Sequence, residues 1–190
     1  MPDEIGRQIR PNRFEHGELE FRKFLSSIEY PRILELGTLR WGDESTHHRH
    51  WVNDAEWILS DVEPGIDVDI VADAHDLAPF ADNSFDALVA ISVWEHLARP
   101  WEACVAVNRV LRPGGHALIV THHTFPVHGY PSDYFRFTDE GLKSLVRWGG
   151  LEPIVANYDY PATIVPPREV EVWNTAAPAY LNVGILARKP

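Results

Sequence analysis

Five short, nearly uninterrupted aliphatic runs along 190 residues restrict what this chain can fold into. They are Arg32 to Leu36, Glu56 to Ser60, Asp67 to Ala72, Phe85 to Ile91 and His116 to Thr121. A strand with one wet face alternates apolar and polar residues. A strand covered on both faces is apolar throughout, as in parallel sheets flanked by helices. The segments between the runs supply the helices. After Pro100, which a first helical turn tolerates, Trp101, Cys104, Val105, Val107, Val110 and Leu111 form an apolar stripe, and Arg112-Pro113-Gly114-Gly115 stops it. Another helix is expected from Thr138 as N-cap to Gly149-Gly150, with Asp139 and Glu140 at its positive end. Upstream, Phe14, Leu19, Phe21, Phe24, Leu25 and Ile28 recur at helical spacing.

The tail changes character. Leu151 to Tyr160 and Ala179 to Arg188 read as strands on either side of a proline-rich loop over 161–178, which suits an antiparallel edge on a parallel sheet. The whole pattern predicts an α/β fold: a Rossmann-like, doubly wound, mostly parallel seven-stranded sheet with a C-terminal antiparallel edge hairpin.

Ligands of such sheets bind beyond the carboxyl ends of the strands, near the point where strand order reverses. Gly37 with Thr38, Asp61, Asp73 and Ser92 fall at those ends. Glu35 lies inside an apolar strand and must be paired or hydrogen-bonded there. Asp61 follows Gly37 at roughly the 20-residue spacing of a carboxylate that accepts from a ribose diol. A nicotinamide dehydrogenase would need Gly-x-Gly-x-x-Gly to set a pyrophosphate on a helix N-terminus, and the chain has no such series.

The ordered motifs resemble class I S-adenosylmethionine-dependent methyltransferases, in particular the group of the type 11 methyltransferase domain. The carriers are Ile-Leu-Glu-Leu-Gly-Thr (33–38), Asp-Ala-His-Asp-Leu-Ala-Pro-Phe (73–80), Asn-Ser-Phe-Asp-Ala-Leu-Val-Ala (83–90), Ser-Val-Trp-Glu-His-Leu (92–97) and Asn-Arg-Val-Leu-Arg-Pro-Gly-Gly (108–115). Tyr-Pro-Ser-Asp-Tyr-Phe-Arg-Phe-Thr (130–138) is similar to segments of some members. The resemblance implies S-adenosyl-L-methionine as cofactor. Glu35, Gly37 and Thr38 would lie by its methionine part, and Asp61 and Val62 by the ribose. Asp73, Ala74 and His75 would lie by the adenine, and Ser92 and Val93 by the methyl donor. One departure stands out: Leu39 occupies the position of a second loop glycine, where a backbone would otherwise approach the ligand closely. In the same terms 1–190 is a single methyltransferase domain. It has an N-terminal helical segment (1–30), a cofactor-binding core (31–122), and an acceptor-side segment with the C-terminal strands (123–190).

The expected reaction is methyl transfer to an oxygen or nitrogen of a small molecule. The alternative is a methyltransferase-like binding subunit with little or no activity. A hydroxyl acceptor must lose its proton, and His122, His123 and His96 are the candidate bases. Asp133 and Tyr134 are placed to cover an acceptor, and Trp41, Trp94, Tyr130 and Tyr134 to wall one, whereas Trp57 and Trp101 are expected in the core. No metal is expected: His47, His48 and His50, like His122, His123 and His128, lack paired cysteines or a His-Glu-x-x-His helix. A net charge of −11 argues against nucleic acid and anionic membranes as partners, and Arg7, Arg10, Arg13, Arg22 and Lys23 read as a solvated face. The lone cysteine and the lack of an apolar leader or an 18-residue apolar stretch suit a cytoplasmic protein, of undetermined oligomeric state.

Overall fold

The computed structural model describes residues 14–129, 132–165 and 177–190. The segment through residue 13, with Arg7, Arg10 and Arg13, lies outside them, as do Tyr130 and most of the proline-rich loop. In chain order the elements are α1 (Glu15–Ser26), β1 (Arg32–Leu36), a 3-10 turn (Arg49–Trp51), β2 (Glu56–Asp61), β3 (Ile70–Val71), β4 (Phe85–Ile91) and a second 3-10 turn (Trp94–His96). They continue with α2 (Pro100–Val110), β5 (Leu111–His122), α3 (Asp139–Trp148), β6 (Glu152–Ile164) and β7 (Ala177–Arg188).

The strands form one seven-stranded sheet in the order β3-β2-β1-β4-β5-β7-β6. Pairing is parallel from β3 through β5, and β7 runs antiparallel to both β5 and β6. Because side chains alternate across a strand, each aliphatic run feeds two cores. Leu34, Leu36, Leu88, Ala90, Ala117 and Ile119 join Ala103, Cys104 and Val107 of α2 and Leu142 and Val146 of α3. Ile33, Ala87, Val89, Leu118, Val120 and Leu186 face the other way, onto Phe14 and onto Phe21 and Leu25 of α1. Apolar runs therefore mark strands covered on both sides.

Three boundaries differ from the sequence expectation, each for a local reason. The third run pairs only at Ile70–Val71, because Asp67 turns into the left-handed region (φ 64) and Asp69 caps the Leu59 N–H through its side chain (2.9 Å). Helix α2 stops at Val110 and β5 already starts at Leu111, opposite Phe85. Arg112 precedes a proline and so avoids helical geometry. The last hairpin reaches further than expected, with Pro161 to Ile164 still paired to β7. At α3 the expected cap is in place: Thr138 Oγ1 accepts from the Gly141 N–H at 3.0 Å.

Candidate functional site

The strand order reverses between β1 and β4, and a cavity of about 770 Å³ opens beyond their carboxyl ends. Gly37 ends β1 with φ 76, and a Cβ there would collide with Cγ2 of Val93, which follows β4. Ser92 is held at φ 56, a conformation costly for a non-glycine residue and typical of sites that aim backbone at a ligand. Gly37, Ser92 and Val93 all line the cavity.

Three carboxylates lie on its wall. Glu35 is buried on β1 and accepts from the His48 backbone N–H (3.0 and 3.1 Å) and faces His48 Nδ1 at 2.6 Å, which answers why an acid sits inside an apolar strand. It thereby ties the segment after β1 back onto the sheet. Asp61 ends β2, accepting from the Leu39 N–H through Oδ2 (3.1 Å) and from the Glu63 N–H through Oδ1 (3.2 Å). A carboxylate has about four acceptor sites, so each oxygen keeps one lone pair for a further donor. Asp73 follows β3, and its Oδ1 takes the His75 N–H (2.9 Å) and meets His75 Nδ1 (2.6 Å). Burial alone would push the Asp73 carboxyl up, but the hydrogen bonds from His75 and the nearby charge of Arg99 outweigh it and hold it below the ordinary range. His75 Nε2 in turn accepts from the Arg99 N–H at 3.2 Å, which fixes the ring with its hydrogen on Nδ1. Val62, Ala74 and His75 line the same cavity.

Thr38 does not. Its hydroxyl donates to the Asp67 carbonyl at 2.6 Å and the side chain is buried, stitching the loop after β1 to the segment before β3. Leu39 lines the cavity, yet Cδ1 of its side chain rests where Gly65 leaves room; a Cβ on residue 65 would strike it. The loop thus takes a leucine in the usual glycine position by pairing it with a glycine elsewhere.

Of the three candidate bases only His96 lines the cavity. Its Nδ1 lies 2.6 Å from the Ser132 carbonyl, which can only accept, so Nδ1 carries the hydrogen and Nε2 is bare in the neutral ring. His122 ends β5 and His123 follows it, and neither lines the cavity. His122 meets Asn182 and stacks on Phe125, while His123 meets the Phe137 carbonyl and the Tyr158 ring. Tyr134 reaches the cavity because its N–H donates to the Glu95 carbonyl at 2.8 Å. Asp133 instead binds Arg136 through both oxygens, which holds its carboxyl far below the ordinary range, and accepts from the His128 N–H. Trp41 lines the cavity from an exposed position. Trp94 is fully buried in the core and Trp101 is partly exposed, the reverse of the sequence expectation. Two members of the expected apolar stripe of α2, Trp101 and Val105, lie on its exposed side. Thr46 and Leu97 are wall residues that the sequence reading did not single out, and His48, weighed there only as a metal ligand, lines the wall as well.

Among the described residues the wall carries three carboxylates and three histidines but no lysine or arginine. That composition suits a cationic or neutral ligand rather than a phosphate.

Residues 49–119 match the family model of the methyltransferase domain. An uncharacterized methyltransferase of Mycobacterium leprae (strain TN) is 27% identical over 113 residues, covering 58% of this chain and 41% of that protein. The chain spans well under half the length of such relatives. Among solved structures, a SAM-dependent methyltransferase from Archaeoglobus fulgidus superposes with a TM-score of 0.61 at 15% identity, covering 92% of this chain and 94% of that one. The Burkholderia thailandensis 1,6-didemethyltoxoflavin-N1-methyltransferase, with bound 1,6-didemethyltoxoflavin and S-adenosylhomocysteine, gives 0.62 at 14% identity, covering 90% and 75%. The fold is the one these methyltransferase structures share, and the sequence match to the methyltransferase domain is confined to residues 49–119.

Proposed function

We propose that this methyltransferase-family chain binds S-adenosyl-L-methionine in the cavity beyond β1 and β4 and transfers its methyl group to an oxygen or nitrogen of a small molecule. The carrying observation is the wall itself. Carboxylates stand at the ends of β1, β2 and β3, no lysine or arginine is present among the described residues, and a glycine floor lies at Gly37 that a Cβ would obstruct. A sulfonium ligand without phosphates fits such a wall, and a dinucleotide does not.

When bound, the cofactor supplies an electrophilic methyl group for in-line displacement. The chain's own work is positioning and the exclusion of water. Asp61 offers its two remaining lone pairs to a diol. Asp73 Oδ2 makes no hydrogen bond among the described residues and is available to an amine. Ser92 and Val93 border the reacting end, and Tyr134 and Trp41 wall the mouth. For a hydroxyl acceptor, Nε2 of His96, bare because Nδ1 faces the Ser132 carbonyl, takes the proton.

The volume of the cavity lies at the upper part of the range of small-molecule sites, enough for a cofactor and a compact acceptor. Among the described residues no helix is long and apolar enough to cross a membrane.

Calorimetry with S-adenosylhomocysteine, followed by an acceptor screen that reads its release from S-adenosylmethionine, tests the proposal. Binding with turnover supports it. Binding without turnover on any acceptor points to a methyltransferase-like binding subunit. No binding overturns the cofactor assignment.

A further inference from the structure

Behind His96, side chains from separate parts of the fold converge in a way that methyl transfer does not use. Glu95 is fully buried in the 94–96 turn; its Oε2 accepts from Thr121 Oγ1 at 2.7 Å, but its Oε1 has no hydrogen-bond partner. That oxygen lies 3.1 Å from Nε2 of His122, close but without hydrogen-bond alignment. His128 closes the group. One ligand atom each from Glu95, His122 and His128 falls within 4.8 Å of the others, and the His128 ring stands edge-on to His122 at 5.1 Å and to His96 at 5.0 Å.

The far sides of the rings carry the second half of the argument. His122 Nδ1 lies 3.0 Å from Asn182 Oδ1, and His128 Nδ1 lies 3.2 Å from the Pro126 carbonyl and 3.4 Å from Asp133 Oδ2. All three partners accept, so both rings carry their hydrogen on Nδ1 and leave Nε2 as a lone pair. Metal-ligating histidines are held in this way, with the other ring N–H donated to a carbonyl or carboxylate. Glu95 Oε1 and the bare Nε2 of His122, 3.1 Å apart, repel, and a ring nitrogen of His128 lies within 4.8 Å of both. One proton joins only one nitrogen to the oxygen, whereas one divalent cation satisfies all three.

We infer that Glu95, His122 and His128 form a site for a divalent transition metal of the Zn²⁺ type, with His96 as its neighbour on the cavity side. Imidazole and carboxylate together suit Zn²⁺ and its first-row relatives, while Mg²⁺ and Ca²⁺ take oxygen ligands. Donor atoms on one tetrahedral Zn²⁺ stand about 3.4 Å apart, given metal–ligand distances near 2.0–2.1 Å. The Glu95–His122 separation already fits, and His128, on a half-exposed loop, needs only a small approach. His122 and His128 already stood together as a histidine cluster in the sequence, but the third ligand, Glu95, comes from a distant run beside a tryptophan. The sequence expectation of no metal rested on contiguous motifs, which a site assembled by the sheet does not need.

The test needs no methyl donor, so its outcome is independent of the methyl-transfer reading. Protein stripped with a chelator is titrated with Zn²⁺ by calorimetry, and Co²⁺ replaces Zn²⁺ for a visible spectrum. One ion per chain is expected, with a d–d spectrum of nitrogen and oxygen ligation. His128→Ala and the shape-conserving Glu95→Gln should each weaken Zn²⁺ binding by about a hundredfold or more. Asn182→Ala, which removes only the bond to the His122 ring, should weaken it by about 10- to 100-fold. His123→Ala, a ring outside the group, should leave it unchanged. Absence of stoichiometric binding by the parent overturns the site. So does an affinity that survives both His128→Ala and Glu95→Gln, because the ion would then sit elsewhere, for instance at His47, His48 and His50.

Discussion

Replacing Asp61 by asparagine separates holding the loop from holding the ligand. In the parent, the two carboxylate oxygens accept from the Leu39 and Glu63 N–H groups at 3.1 and 3.2 Å. An amide of the same shape keeps one of these bonds and turns its own N–H₂ toward the other donor. The loss is one hydrogen bond to a charged group, about 1.5–3 kcal/mol, discounted toward the lower figure because Asp61 is only half-buried. The ligand side loses one charge-assisted bond to the diol, again about 1.5–3 kcal/mol, or roughly 10- to 150-fold in affinity. Urea denaturation reads the first quantity and calorimetry with S-adenosylhomocysteine the second. Asp61→Ala should cost at least as much on both. A folded Asp61→Asn protein that binds S-adenosylhomocysteine as tightly as the parent would refute the assignment of Asp61 to the ribose, whatever its stability.

With a hydroxyl acceptor, His96→Ala should lower turnover by about 10²–10⁴ and leave S-adenosylhomocysteine affinity nearly intact, whereas His123→Ala should leave turnover at the parental level; stopped-time assays on both variants decide this. Gly37→Ala should destabilise the fold by about 1–2 kcal/mol from the left-handed backbone, with a further 1–3 kcal/mol as Val93 is displaced, measured by thermal and chemical unfolding. Burial pushes the Cys104 thiol up to about 12, so iodoacetamide at pH 8 should modify it only after denaturant is added, as intact-mass spectrometry will show. The Asp73 carboxyl is depressed in the fold, so its bonds to His75 stabilise above the carboxyl's unfolded value and are lost as pH falls through the lower folded one. The stability gap between parent and Asp73→Asn, followed by denaturant titration, should therefore be full at pH 7 and close in acid below the ordinary carboxylate range.

The core strands were legible because burial on both faces writes itself into composition: Ile33 and Leu34, or Leu88 and Val89, serve opposite cores with one unbroken apolar run. The short β3 was not legible in length. Asp67 turns left-handed with its side chain on Arg40, and Asp69 caps the Leu59 N–H, neither of which shows in a pattern of hydrophobicity. At the site, residues at strand ends were readable by position alone, and Glu35, Gly37, Asp61, Asp73 and Ser92 all reach one cavity. Thr38 was not distinguishable from them, because whether a hydroxyl faces a ligand or the Asp67 carbonyl depends on a segment nearly thirty residues away. The histidines were the least legible. His96 lies in a turn beyond β4 and His122 is the last residue of β5, and the path of residues 132–137, bonded along Glu95 and His122, runs between them.

The placement of β7 between β5 and β6 bears on how the molecule comes to be made. His116 pairs with Arg188, and Glu152 pairs with Arg188 as well, so one late strand is the shared neighbour of two earlier ones. As the chain leaves the ribosome, β6 is complete while its place in the sheet is still vacant, and the β5 ladder presents bare amides and carbonyls on that side. Non-local pairing of this kind is slow and exposes sticky edges in the interval. Phe14 and α1, which rest on β5, β6 and β7, must also wait for it, although they precede every strand in the chain. Synthesis of this fold is therefore a race between the arrival of one strand and the adhesion of an open edge, and substitutions that slow β7 pairing will lower yield before they lower the stability of whatever folds.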